Sequence, residues 1–252
     1  MLGHLNYIIF LILYLSFLAI IFYLIIKKRI TINSTQRRVL FLFIAFCYIL
    51  NILDKIMGSE INMKHLFGVI PFGNYSPLIF TVCTILVFLP DKWCRWFDYF
   101  IGIMWFPMLA ASLHNSIRFT WSQGPYVYTC MIFDCIAHGL IGLYGFCLLY
   151  NKNVIYNKKK LIILLSVIML VPVIMLILNV VFDTSFFGLN LNGKHNIYNV
   201  VISNNSYVSA AIYFVGLTAL LAISTAASLA IQRRVSKWKA SENTLILHTQ
   251  LL

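Results

Sequence analysis

Asp134 and His138 lie four residues apart in "MIFDCIAHGLIGLYGF", residues 131–146, a run with no other charged side chain. On a helix, that spacing places both on one face, where the carboxylate can accept a proton from one ring nitrogen. The contact would fix the imidazole tautomer and leave the second nitrogen free to act as a base or hydrogen-bond partner. Ionisable groups are costly in hydrocarbon, so the pair is a functional-site candidate. The competing reading is a satisfied polar pair that joins two helices.

A base needs a nucleophile. The third apolar run carries Thr81, Cys83 and Thr84, about 8 to 12 Å below the outer surface at ~1.5 Å per residue. On the same scale Asp134 lies about 12 Å deep and His138 about 18 Å deep. A hydroxyl or thiol activated by a neighbouring imidazole is the usual logic of acyl transfer. Threonines in a span also commonly bond to the carbonyl four residues back. Asp54 and Lys55 adjoin in the second run, with Asn51 in reach of either; they read as a helix–helix salt link or as the wall of a polar cavity. Asp98, between Trp96 and Tyr99, reads as interfacial. His114, Arg118 and Trp121 cluster at one end of the fourth run, where Arg can offer two parallel donors to a phosphate head group. The six histidines are scattered without an HxxxH or HxxE pair, so neither a metal site nor another cofactor is expected.

These residues are positioned by a chain of 252 residues, 61% hydrophobic and 10% charged. So few charges cannot cover a soluble domain of this size, and apolar runs of spanning length recur along it. An all-α, polytopic membrane protein follows. Seven spans are read at approximately 7–26, 39–57, 76–90, 97–113, 126–150, 161–182 and 208–231. Pro77 and Pro90 bracket the third. The net charge of +12 is spread over short clusters between spans rather than over one face. Together with the lack of a Walker loop, a GxGxxG or a paired CxxC, this argues against nucleic acid and soluble nucleotide or zinc chemistry.

Lys27, Lys28, Arg29, Arg37 and Arg38 follow the first span, Lys92 and Arg95 the third, Lys152 and Lys158 to Lys160 the fifth, and Arg233, Arg234, Lys237 and Lys239 the seventh. The opposite connections hold only Lys64, Arg118 and Lys194. This bias predicts an outer N-terminus, a cytoplasmic C-terminus and a multi-pass protein of the plasma membrane. The first apolar run has its basic residues behind it and no small-residue cleavage site, so it reads as a retained span. Residues 1–232 form one transmembrane domain, and 233–252 a basic, partly disordered cytoplasmic tail. The outer connections 58–75 and 183–207 are rich in Gly and Asn, with sequons at Asn74 and Asn204. Cys47, Cys83, Cys94, Cys130, Cys135 and Cys147 lie mostly inside apolar runs and read as packing residues.

"FDCIAHGLIGLYGFCLLY", a basic loop, a long span ending "LNVVFDTSFFGLN" and one further span resemble the YwaF-like integral membrane proteins, a group that includes a eukaryotic polytopic phospholipid acyltransferase. The similarity runs over roughly residues 70 to 231 and is closest at "AHGLI". The resemblance implies His138 as base, Thr81 as nucleophile, and a counterpart of the family's Asn-containing element from Asn179 to Phe187. Two positions differ: Ile79 stands for the family's His, and Thr81 for its Cys, with Cys83 two residues on. A Thr–His pair is also what the distantly similar androgen-induced membrane hydrolases use.

The leading expectation is therefore an enzyme acting on the acyl esters of membrane lipids. His138 is its base, Asp134 orients His138, and Thr81 or Cys83 carries the acyl group. Asp54, His114, Arg118 and Asn179 are the substrate-binding candidates. The alternatives are a small transporter or substrate-binding subunit with an outward-facing polar cavity, and an accessory protein whose polar groups only pack helices.

Overall fold

A computed structural model describes residues 2–27, 30–58, 75–118, 125–182 and 206–250. The long connections 59–74 and 183–205, including both sequon asparagines, lie outside the described residues. Among the described residues seven helices follow in order: α1 (Leu2–Ile26), α2 (Ser34–Gly58), α3 (Tyr75–Leu86), α4 (Asp91–Arg118), α5 (Pro125–Tyr150), α6 (Lys158–Phe182) and α7 (Ser206–Gln250). No strand occurs among the described residues. Six of the seven are long and apolar enough to cross a bilayer, as in an integral membrane protein.

The third span of the sequence reading is the exception. Helix α3 has 12 residues, about 18 Å of rise, too short for ~30 Å of hydrocarbon. Its ladder ends in tighter bonds, Phe88 N–H to Ile85 O at 3.1 Å and Leu89 N–H to Leu86 O at 3.3 Å, and Pro90 follows. Elsewhere the helices outrun the apolar windows at the basic end, because charged turns are still helical. Helix α2 begins at a reciprocal capping box: Gln36 N–H donates to Asn33 Oδ1 at 2.8 Å, and Asn33 N–H to Gln36 Oε1 at 3.0 Å. Helix α6 begins where Lys160 N–H donates to Asn157 Oδ1 at 2.8 Å. The tail differs from expectation too. Helix α7 runs on to Gln250 as 45 residues, since "QRRVSKWKASENTLILHTQ" has no Pro or Gly to stop it.

The basic connections meet at one end of the bundle. Asn151 Nδ2 donates to Ile30 O at 3.2 Å, Gln232 Nε2 to Val154 O at 2.9 Å, and Arg37 reaches Asp91 at 2.9 Å. Helix α5 is the central helix, packed by α1, α2, α4 and α7. Its seam with α4 is close because glycines line it. A Cβ on Gly142 would meet Leu109 N at 3.0 Å, and one on Gly145 would strike the Ile101 carbonyl oxygen. Helices α1 and α6 are strongly apolar with little of their length buried, so they lie on the outside of the bundle.

Two intramembrane prolines each free a carbonyl, and a hydroxyl from another helix takes it. Pro107 cannot donate to Ile103 O, which instead accepts from Ser224 of α7. Pro172 cannot donate to Ile168 O, which accepts from the Tyr75 hydroxyl of α3. Next to the first of these, Ser228 accepts the Trp105 indole N–H at 3.0 Å.

Candidate functional site

His138 lies on α5 with its side chain 4% exposed. Its Nδ1 is 2.7 Å from the main-chain carbonyl of Asp134, and its Nε2 is 2.6 Å from Ser76 Oγ. A carbonyl oxygen can only accept, so Nδ1 carries the proton and Nε2 is left to accept from the Ser76 hydroxyl. This is the tautomer a serine-activating base requires. The Phe80 ring meets the imidazole edge-on, with centroids 5.0 Å apart, and limits its rotation. Ser76 and Phe80 lie one turn apart on α3, so that helix presents the hydroxyl and the packing ring together. Tyr75, the residue before Ser76, ties the same end of α3 to α6.

The Asp134 carboxylate is nearby but not the ring's closest contact. Its Oδ1 is 3.5 Å from His138 Nδ1. Asn51 of α2 donates to Oδ1 at 3.1 Å, and Asn115 of α4 donates to Oδ2 at 2.5 Å. Two amides from two helices thus hold the acid within reach of the ring. Below this cluster, Ser112 of α4 donates to the Cys135 carbonyl at 2.8 Å, and the Tyr14 hydroxyl of α1 contacts both groups.

The expected nucleophiles lie elsewhere on α3. The Thr81 hydroxyl donates to Pro77 O at 2.8 Å and is 3.4 Å from the Tyr48 hydroxyl. Thr84 bonds to Phe80 O at 2.9 Å. Both make the bond to the carbonyl four residues back that threonine forms in helices. Cys83 is fully buried, nearer Cys94 and Asp98 at the basic end. Ser76, which was not singled out in the sequence, occupies the place foreseen for them. It sits at the margin of an apolar run, where a hydroxyl is unremarkable, and its partner is 62 residues away.

Of the substrate-binding candidates, Asn179 is buried on α6 and His114 is exposed on α4, one residue before Asn115. Asp54 and Arg118 belong to α2 and α4, but their side chains lie outside the described residues, as does that of Lys55. Asp98 is buried within the bundle. It is 7% exposed, accepts from the Tyr144 hydroxyl at 2.5 Å and pairs with Arg37 at 3.2 Å. No group of three His, Cys, Asp or Glu able to hold a metal occurs among the described residues.

No known protein family, curated protein or solved structure matches the chain. The likeness to YwaF-like proteins therefore rests on the quoted residues alone.

Proposed function

We propose that this protein is a membrane-embedded hydrolase or acyltransferase of lipid esters, with Ser76 as nucleophile, His138 as general base and Asp134 as its orienting acid. The observation that carries this reading is the 2.6 Å contact from Ser76 Oγ to an imidazole whose other nitrogen faces a carbonyl at 2.7 Å. Ser76 Oγ attacks the ester carbonyl carbon while its proton passes to His138 Nε2. The tetrahedral adduct collapses, the C–O bond to the alcohol breaks, and His138 returns the proton to the leaving oxygen. Water or a second alcohol then attacks acyl-Ser76, again losing its proton to His138. This releases a fatty acid or a new ester and restores the serine. By the charge bias of the connections, the N-terminus is outside, and the site serves the outer half of the bilayer.

The test is labelling of the purified full-length protein by a lipid-like fluorophosphonate. Wild type, Thr81→Ala and Cys83→Ala are expected to label, whereas Ser76→Ala and His138→Ala are not. Undiminished labelling of Ser76→Ala rejects the assignment. If no variant and no wild type labels while His138→Ala lowers the melting temperature, the cluster is helix packing.

A further inference from the structure

At the basic end, α1, α5 and α7 enclose a groove of about 690 Å³. Ile26, Phe146, Tyr150, Ile231 and Val235 form its walls, and Lys27 and Arg234 stand on it from opposite helices. Its aromatic side is rigid: Phe146 stacks on Phe22 with centroids 4.0 Å apart and on Tyr150 at 5.8 Å. We propose that this groove binds one anionic phospholipid of the leaflet at the basic end.

Charge and shape both select that occupant. Neither Lys27 nor Arg234 has a carboxylate within ion-pair distance among the described residues. Arg37 and Arg38, at the same end, are committed to Asp91 and Asp98. Lys27, whose ammonium lies over the Tyr23 ring at 5.8 Å, and Arg234 thus line one groove without a carboxylate partner among the described residues, and the planar guanidinium can bind two phosphate oxygens at once. A soluble anion would satisfy the cations but leave the apolar walls without a ligand. A zwitterionic lipid would fill the walls, but its own ammonium offsets its phosphate. An anionic phospholipid meets both requirements, and it lies in the plane where α1 leaves the bilayer. The groove uses none of the Ser76–His138 cluster, so this inference stands apart from the proposed chemistry.

The experiment is native mass spectrometry of the full-length protein in neutral detergent, titrated with phosphatidylglycerol, phosphatidylcholine or sodium phosphate. Wild type is expected to retain one phosphatidylglycerol in preference to phosphatidylcholine, with millimolar phosphate failing to displace it. Losing both cations in Lys27→Gln/Arg234→Gln weakens retention about 30-fold, from roughly fivefold per basic residue at an anionic surface. Lys158→Gln/Lys159→Gln removes the same charge at the same end away from the groove, and is expected to bind as wild type. Equal loss in both doubles means a diffuse field and overturns the site. Equal retention of phosphatidylcholine, or displacement by phosphate, overturns the occupant. Should the first double fail to fold, Ile231→Trp blocks the groove with both charges intact; unchanged phosphatidylglycerol binding in that variant overturns the proposal.

Discussion

The direction of one proton decides what His138 can do. Because the group facing Nδ1 is a main-chain carbonyl, the ring tautomer does not depend on the Asp134 side chain. The carboxylate, 3.5 Å away, places its charge beside the ring that takes up the proton in the proposed reaction. Asp134→Asn keeps the main-chain carbonyl, removes the charge, and turns one of the two acceptor oxygens held by Asn51 and Asn115 into an NH2 donor, so one of those amides must turn over to pair with it. The variant is therefore expected to slow fluorophosphonate labelling on the order of tenfold to a hundredfold, short of the loss in His138→Ala. The two single variants, followed as labelling rates, check this. Equal abolition would mean that the carboxylate, not the carbonyl, sets the tautomer. His138 and Asp134 were legible in the sequence because ionisable groups inside an apolar run stand out. Ser76, Asn51 and Asn115 were not, since neutral polar groups are common near span ends and their partners lie on other helices. Asn51 was read against its own neighbours Asp54 and Lys55, yet its amide reaches α5.

Hydrophobic runs revealed every helix among the described residues, and misjudged the ends where charge or chain chemistry took over. The 12-residue α3 was read as a short span reaching residue 90 because residues 87–89 are as apolar as the helix before them. What no window of hydropathy carries is the use made of Pro107 and Pro172. Each leaves a carbonyl without its helical donor, and the hydroxyl that takes it comes from another helix: Ser224 for one, Tyr75 for the other. Proline thus fastens α4 to α7 and α6 to α3. Ser224→Ala should lower stability by about 1 kcal/mol by orphaning the Ile103 carbonyl. In a Pro107→Ala background the restored N–H serves that carbonyl, so Ser224→Ala should then cost measurably less. Thermal unfolding of the four members of this cycle measures the coupling, and additive effects would refute the link.

At the scale of the molecule, α2, α4 and α5 form the fixed core, and an acid clamps them at each end. Asp134 of α5 accepts from Asn51 of α2 and Asn115 of α4. Asp98 of α4 accepts from Arg37 of α2 and Tyr144 of α5. Between the clamps, Gly142 and Gly145 let α4 and α5 touch along their backbones. The seam holds the two helices at the separation that Asn115 must span to reach Asp134, so the glycines serve the site from a distance. Gly145→Ala drives a methyl group into the Ile101 carbonyl and the Trp105 side chain, neither of which can move without shifting α4. A loss of about 1–3 kcal/mol is expected, the usual range for overpacking, measured as thermal unfolding in detergent. Gly216 of α7 is the internal control, because a Cβ there meets nothing within 4 Å. Gly216→Ala replaces the poorer helix former by the better one and should hold or raise the melting temperature. Equal tolerance at the two positions would mean that α4 and α5 do not meet along this seam. A difference of the expected sign would locate the rigid frame of the protein in the contact that carries Asp134 and His138.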